Sequence, residues 1–135
     1  MVRTGPTLTG IAVVAALAIG VGYLANGIQA KRQLGARVMA LTGGDPDRGR
    51  AALIHRPCGS CHEIPGVAGA KGSVGPPLIH FATRAYIGGR LNNTPDNLVD
   101  WIVDPHRTDP KSAMPPTGVG EAEARDIAAY LYTLS

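Results

Sequence analysis

The residues able to do chemistry cluster in one short stretch, Cys58-Gly59-Ser60-Cys61-His62. In a helical turn, positions i, i+3 and i+4 share one face, so Cys58, Cys61 and His62 meet the same edge of one planar group. The spacing C-x-x-C-H is that of a covalently attached haem. Its vinyl groups take up the two thiols as thioethers, and His62 lies under the iron as the proximal ligand. Two other chemistries use paired cysteines. A closed zinc site takes four Cys or His ligands, whereas this chain has 2 cysteines and no second C-x-x-C. A thioredoxin-like dithiol sits in a βαβ setting, and no alternating strand pattern surrounds this one. The expected cofactor is one haem c held through Cys58 and Cys61.

Such an iron has a second axial position. Met114, in Lys111-Ser112-Ala113-Met114-Pro115-Pro116, offers a soft, neutral thioether in a loop that its prolines keep out of helix and strand. His55, His80 and His106 are the competitors for a bis-histidine site. Met39 precedes the motif on a stretch of helical spacing and reads as an apolar contact. A metal-bound histidine donates its other ring N–H to an acceptor, and a proline carbonyl held in the rigid turn Gly75-Pro76-Pro77-Leu78 would serve His62. Arg90, Asn92 and Asn93, beside a turn, are candidates to hydrogen-bond the propionates. Trp101, on the apolar face of the helix that follows, completes the set of expected cofactor contacts.

Helices must position these groups. The first is expected from Pro46 to His55, with Asp45 as N-cap and Pro46 at N1. Gly49 inside it costs helix stability and so marks close approach of a second helix. The glycine-rich loop from Glu63 to Gly75 suits neither a strand nor a long helix. Residues 79 to 95 read as irregular, and Asn97 to Val103 as a short helix ended by Asp104-Pro105. Glu121 to Leu134 is the strongest amphipathic pattern. Its apolar face of Ala124, Ile127, Ala128, Leu131 and Leu134 should cross the first helix near Gly49.

The N-terminal third has another character. Leu8 to Ile28 is an apolar run, with no charge between Arg3 and Lys31, and as a helix it would span about 31 Å. That length reads as an uncleaved transmembrane anchor (1–30), since a signal peptide has a core of about 7 to 15 residues. A helical stalk ending in a Gly43-Gly44 hinge (31–44) and the haem domain (45–135) would follow. Ala12, Ala16 and Gly20 recur every four positions, as do Ala18 and Gly22, a pattern that accepts a transmembrane helix of a partner subunit. Four bases and no acid lie before residue 45, while nine bases and ten acids lie after it. The high pI therefore belongs to the anchor, and the nearly neutral remainder excludes nucleic acid as a partner. Lys31, Arg32 and Arg37 after the span would by charge alone put the haem domain in the cytoplasm. Haem attachment in bacteria takes place outside the inner membrane, so the expected placement is single-pass with the haem domain on the periplasmic or outer side.

Together Cys58-Gly59-Ser60-Cys61-His62, Gly75-Pro76-Pro77-Leu78, the helix up to Pro105, Met114-Pro115 and Ala128-Ala129-Tyr130-Leu131 resemble a class I cytochrome c over about residues 45 to 135. The resemblance implies an all-α fold wrapped round one covalent haem, with first and last helices crossing, the Pro76 carbonyl accepting from His62, and Met114 ligating iron. Asn92 to Pro105 is similar to the cytochrome c domain fused to subunit II of some haem-copper oxidases, although no copper-binding domain follows the span here. What this implies is an electron-transfer protein of a respiratory chain rather than an enzyme. Its partner would be a terminal oxidase, or else a quinol-oxidising complex or a periplasmic dehydrogenase. A haem sensor or peroxidase would instead need the sixth position open.

Overall fold

A computed structural model describes residues 6–135 of the chain, so Arg3 lies outside the described residues. The chain divides into two compact units between Leu34 and Gly35. In the first, a single helix, α1, begins at Pro6 and runs on to Thr42, 37 residues in all. The large apolar side chains from Ile11 to Ile28 are exposed, Tyr23 and Leu24 to 77% and 70%. The helix is long and apolar enough to cross a membrane. Gly10, Ile11, Val14, Ala15 and Ala18 line a shallow apolar groove along it.

The second unit opens with the last turns of α1. Val38 is buried, as is Thr42, whose hydroxyl donates to the Val38 carbonyl at 2.7 Å and accepts from the Gly44 amide at 3.1 Å. The Thr42 carbonyl accepts from Arg125 Nη1 at 3.2 Å, and the Asp45 amide donates to Asp126 Oδ1 at 2.7 Å. The expected hinge at Gly43-Gly44 is thus a fastened turn. Gly43, at φ +71°, closes the helix in the left-handed region, and Gly44 leaves no room for a side chain beside the Arg125 carbonyl. Sequence spacing marks glycines as breakers but cannot show that they are breakers held against a helix some 80 residues away.

Three helices frame the rest. α2 (Pro46–His55) starts as expected, with Asp45 accepting from the amides of Asp47 and Arg48. α4 (Pro95–Val103) begins earlier than the sequence suggests, because Thr94 caps it and Pro95 takes N1. α6 (Glu121–Leu131) ends earlier than expected. Its last turn tightens through Thr133 N to Tyr130 O and Leu134 N to Leu131 O, while Leu134 O accepts from Ala82 N at 2.9 Å and draws the tail aside. Two short helices, α3 (Cys58–Cys61) and α5 (Pro105–Thr108), follow α2 and α4. The stretch read as irregular contains a 3-10 turn at Phe81–Thr83 and a small antiparallel hairpin pairing β1 (Tyr86–Ile87) with β2 (Leu91–Asn92). These two strands are the only departure from an all-α fold apart from the isolated bridge between Glu63 and Lys71, among the described residues.

α2 and α6 cross where Gly49 meets the backbone of Asp126 and Ile127; a Cβ at Gly49 would lie only 3.0 Å from the Ile127 amide and closer still to the Asp126 carbonyl. Arg48 grips Asp126 through Nε at 2.8 Å and Nη2 at 2.9 Å, which holds the carboxyl below the usual range. Arg56 grips Glu123 in the same bidentate way, at 2.9 and 2.6 Å. Beneath the crossing, Leu53, Leu98, Ile102, Ile127 and Leu131 belong to one apolar core. Tyr132 closes its edge, donating to Asn93 Oδ1 at 2.9 Å and meeting Phe81 edge-on with centroids 6.1 Å apart.

Two outcomes are expected. Alanine at an open helical position gains about 1 kcal/mol over glycine, but Gly49→Ala should instead lose about 3 kcal/mol through backbone overpacking, measured by denaturant unfolding of the holoprotein in far-ultraviolet circular dichroism. A gain would show that the helices do not touch there. Burial pushes the Tyr132 phenol up to about 12. The unfolded chain loses this proton near pH 10 while the folded one keeps it. Its contribution is therefore complete below about pH 10 and falls away towards pH 12. Tyr132→Phe should flatten that alkaline decline in stability, and an unchanged slope would assign the decline to other groups.

Candidate haem site

α2 ends at Arg56, and Pro57 turns the chain straight into α3, where Ser60 N donates to Pro57 O at 3.0 Å. The helical turn stops at Cys61. His62 is extended, at φ −112° and ψ 141°, yet its amide still donates to the Cys58 carbonyl at 2.9 Å and keeps it beside the two cysteines. The glycine-rich loop that follows then folds back on this turn, with Gly72 N on Gly59 O at 3.0 Å, Gly75 N on Cys61 O at 2.8 Å and Leu78 N on Glu63 O at 2.7 Å.

Two of its glycines, Gly72 and Gly75, are there for contact. A Cβ at Gly75 would lie 2.7 Å from His62 Nδ1, so only glycine lets the loop lie flat on the imidazole. His62 Nδ1 is 2.7 Å from the Pro76 carbonyl. A carbonyl can only accept, so Nδ1 carries the proton and Nε2 keeps a bare lone pair, the tautomer a metal requires.

Cys61, His62, Gly75 and Pro76 line a cavity of about 390 Å³, which lies within the usual range for small-molecule sites. Leu98, Trp101 and Ile102 of α4, Leu131 of α6, and Phe81, Ile87 and Leu78 add apolar wall. Met114 and Pro115 line it too, from the loop between α5 and α6. Of the 4 histidines only His62 faces this cavity; His55 and His80 are exposed, and His106 is bonded elsewhere. Met39, 47% exposed on α1, is also remote from the lining.

Three of the expected contacts stand outside the cavity lining. Arg90, Asn92 and Asn93 do not line the cavity. Arg90 Nε donates to Asp109 Oδ2 at 2.9 Å. Asn92 lies in the hairpin, its backbone carbonyl accepting from Asn97 Nδ2 at 2.9 Å and its side chain exposed. Asn93 donates to the carbonyls of Phe81 and Arg84, both at 3.0 Å, and accepts from Tyr132, so its amide is a structural brace. The polar groups that do reach the cavity are Asp109, Lys111 and Ser112. Their nearness to Met114 in sequence was the signal that could have found them.

The donor set fits a haem. An imidazole with a free Nε2, a thioether and a thiol share one apolar chamber, with few polar groups at hand. A reactive dithiol has a lowered thiol pKa, whereas burial pushes the Cys58 thiol up. The profile of the cytochrome c family matches residues 46–135. The chain belongs to the cytochrome c family. Its haem c is covalent, through Cys58 and Cys61, and its fold is the helical fold of class I members, preceded by the long apolar helix. The chain is 32% identical over 89 residues to cytochrome c oxidase subunit 2 of Alkalihalophilus pseudofirmus, a match covering 65% of this chain. It spans 25% of the length of that relative. No solved structure gives a significant match.

A domain of this size, with 1 tryptophan and 1 phenylalanine in the whole chain, builds its core around the cofactor. Replacing both Cys58 and Cys61 with Ser should abolish haem that survives denaturing electrophoresis and leave residues 45–135 open to protease. A protease-resistant apoprotein would show that the polypeptide core is sufficient alone.

Proposed function

We propose that this cytochrome c is a membrane-anchored carrier that passes single electrons to a haem-copper terminal oxidase. The observation that carries the reading is the lining of one cavity by both His62 and Met114, with no other histidine or described methionine among its lining residues. His62, its Nδ1 committed to Pro76, and Met114 would both hold the iron. The bound group supplies a one-electron Fe(III)/Fe(II) change, favoured toward the ferrous state by a thioether ligand. If His62 and Met114 both held the iron, the chain would leave no place on it for a substrate. The protein then transfers electrons and makes no bonds.

The oxidase assignment rests on the likeness to an oxidase subunit 2. Support for the anchor is α1, whose apolar side chains from Ile11 to Ile28 are exposed and which is long and apolar enough to cross a membrane. In this reading the span crosses the bacterial inner membrane once, and the haem domain stands on the periplasmic side. Trp101 would pack against the haem, and Lys111 and Ser112 would take over the polar role expected of Arg90 and the two asparagines.

The test uses the reduced full-length holoprotein. It should bind carbon monoxide poorly, and proteoliposomes containing a haem-copper oxidase should reoxidise it in a cyanide-sensitive manner. Rapid carbon monoxide binding would make it a sensor or a peroxidase. Slow reoxidation, together with rapid reduction of the ferric form by a quinol-oxidising complex, would move it to the other end of the chain.

A further inference from the structure

We propose that His106 is a positioning residue for Met114, holding the ligand loop closed over the cavity by a hydrogen bond to its backbone. The proposal rests on Met114 being the axial ligand. Nine residues from Asp109 to Thr117 carry Met114 and form neither helix nor strand, so something else must fix their shape. Both ends are tied. Asp109 accepts from Arg90 Nε at 2.9 Å and from the Lys111 amide at 3.1 Å, and the Thr117 hydroxyl donates to the Ile102 carbonyl at 2.7 Å.

The middle is held by His106. Asp104 ends α4 and caps α5, accepting from the His106 and Arg107 amides at 3.1 and 3.2 Å, which fixes where the His106 ring projects. The half-buried ring reaches Ser112 O with Nε2 at 3.0 Å. A carbonyl can only accept, so Nε2 is the donor. Ser112 passes the constraint on, since its hydroxyl accepts from the Met114 amide at 3.2 Å. Imidazole, Ser112 and Met114 thus form a line of two hydrogen bonds that ends on the backbone of the ligand. His106 itself is no competitor for the iron, because it does not line the cavity and its Nε2 is engaged.

Removing such a bond should raise the population of open loop by about five- to tenfold, the factor that one net intramolecular hydrogen bond represents. An external ligand for ferric iron senses that population directly, since its apparent affinity scales with the competent fraction. Free imidazole is the probe, read together with the near-infrared sulfur-to-iron band. In the full-length holoprotein, His106→Leu keeps bulk without a donor and should bind imidazole about five- to tenfold more tightly, with a weaker band. His106→Gln can donate from its amide to Ser112 and should return both to within about twofold of wild type. Ser112→Ala, which cuts the second bond, should change imidazole affinity in the same direction as His106→Leu and serves if the Leu variant does not accumulate. Wild-type affinity and band in both His106→Leu and Ser112→Ala would overturn the proposal, as would a Gln variant that behaves like Leu. Met114→Ala separates the two readings. It should lose the band and bind imidazole most tightly of all, and if it matches wild type, the ligand assignment itself falls.

Discussion

The fold depends on the contact of two backbones. Gly49 of α2 lies directly on Asp126 and Ile127 of α6, and the arginines on either side of it, Arg48 and Arg56, each hold an α6 carboxylate with two hydrogen bonds. Close approach and polar clamps act together here. Exposed ion pairs alone contribute about 0 to 1 kcal/mol each, so the clamps register the crossing more than they drive it, and burial of the apolar face below supplies most of the stabilisation. Because α2 leads directly into the haem-binding turn and α6 carries Leu131 to the cavity wall, joining them brings distant parts of the chain around one chamber.

The same clasp explains the end of α1. Asp126 serves both Arg48 and the Asp45 amide, and the neighbouring Arg125 reaches back to Thr42. Residues 42 to 45 are therefore fixed by the helix that α2 crosses, and the turn they form is part of the haem unit rather than a joint leading to it.

Much of this was legible in the sequence because the informative signals are local. The Cys58 to His62 spacing, the Asp45-Pro46 cap, Gly49 as a point of contact and the prolines around Met114 each depend on neighbours a few residues away. A proline carbonyl as the partner of His62 was legible through the rigidity of the Gly75 to Leu78 turn, and the family resemblance pointed to Pro76. The placements that depart from expectation share a cause as well. Arg90, Asn93 and Gly44 are committed to residues 19, 39 and 81 positions away. A polar side chain near a turn looks available until the far partner is known. Asn93 is instructive, because both ends of its amide are engaged in bracing Phe81, Arg84 and Tyr132. The cavity edge was missed for the converse reason. Lys111 and Ser112 carry no signature except adjacency to Met114.

The arginines from residue 45 onward are partnered in the same way. Arg48, Arg56, Arg90, Arg107 and Arg125 are all in ion pairs, and Arg50 and Arg84 donate to carbonyls, at Gly66 and at Pro77 and Ile79. Paired charges produce fields that decay quickly with distance, and salt screens what remains beyond about 8 to 10 Å. Long-range attraction can therefore contribute little to bringing this haem to a partner, unlike a carrier that is steered by a field of one sign. In the proposed role the apolar helix replaces that attraction. A domain held on the membrane that also holds its acceptor meets it at an effective concentration that can reach about millimolar, whatever the ionic strength. The near-neutral surface is then no handicap, because encounter no longer depends on charge, and the arginines are free to serve the architecture that presents the cofactor.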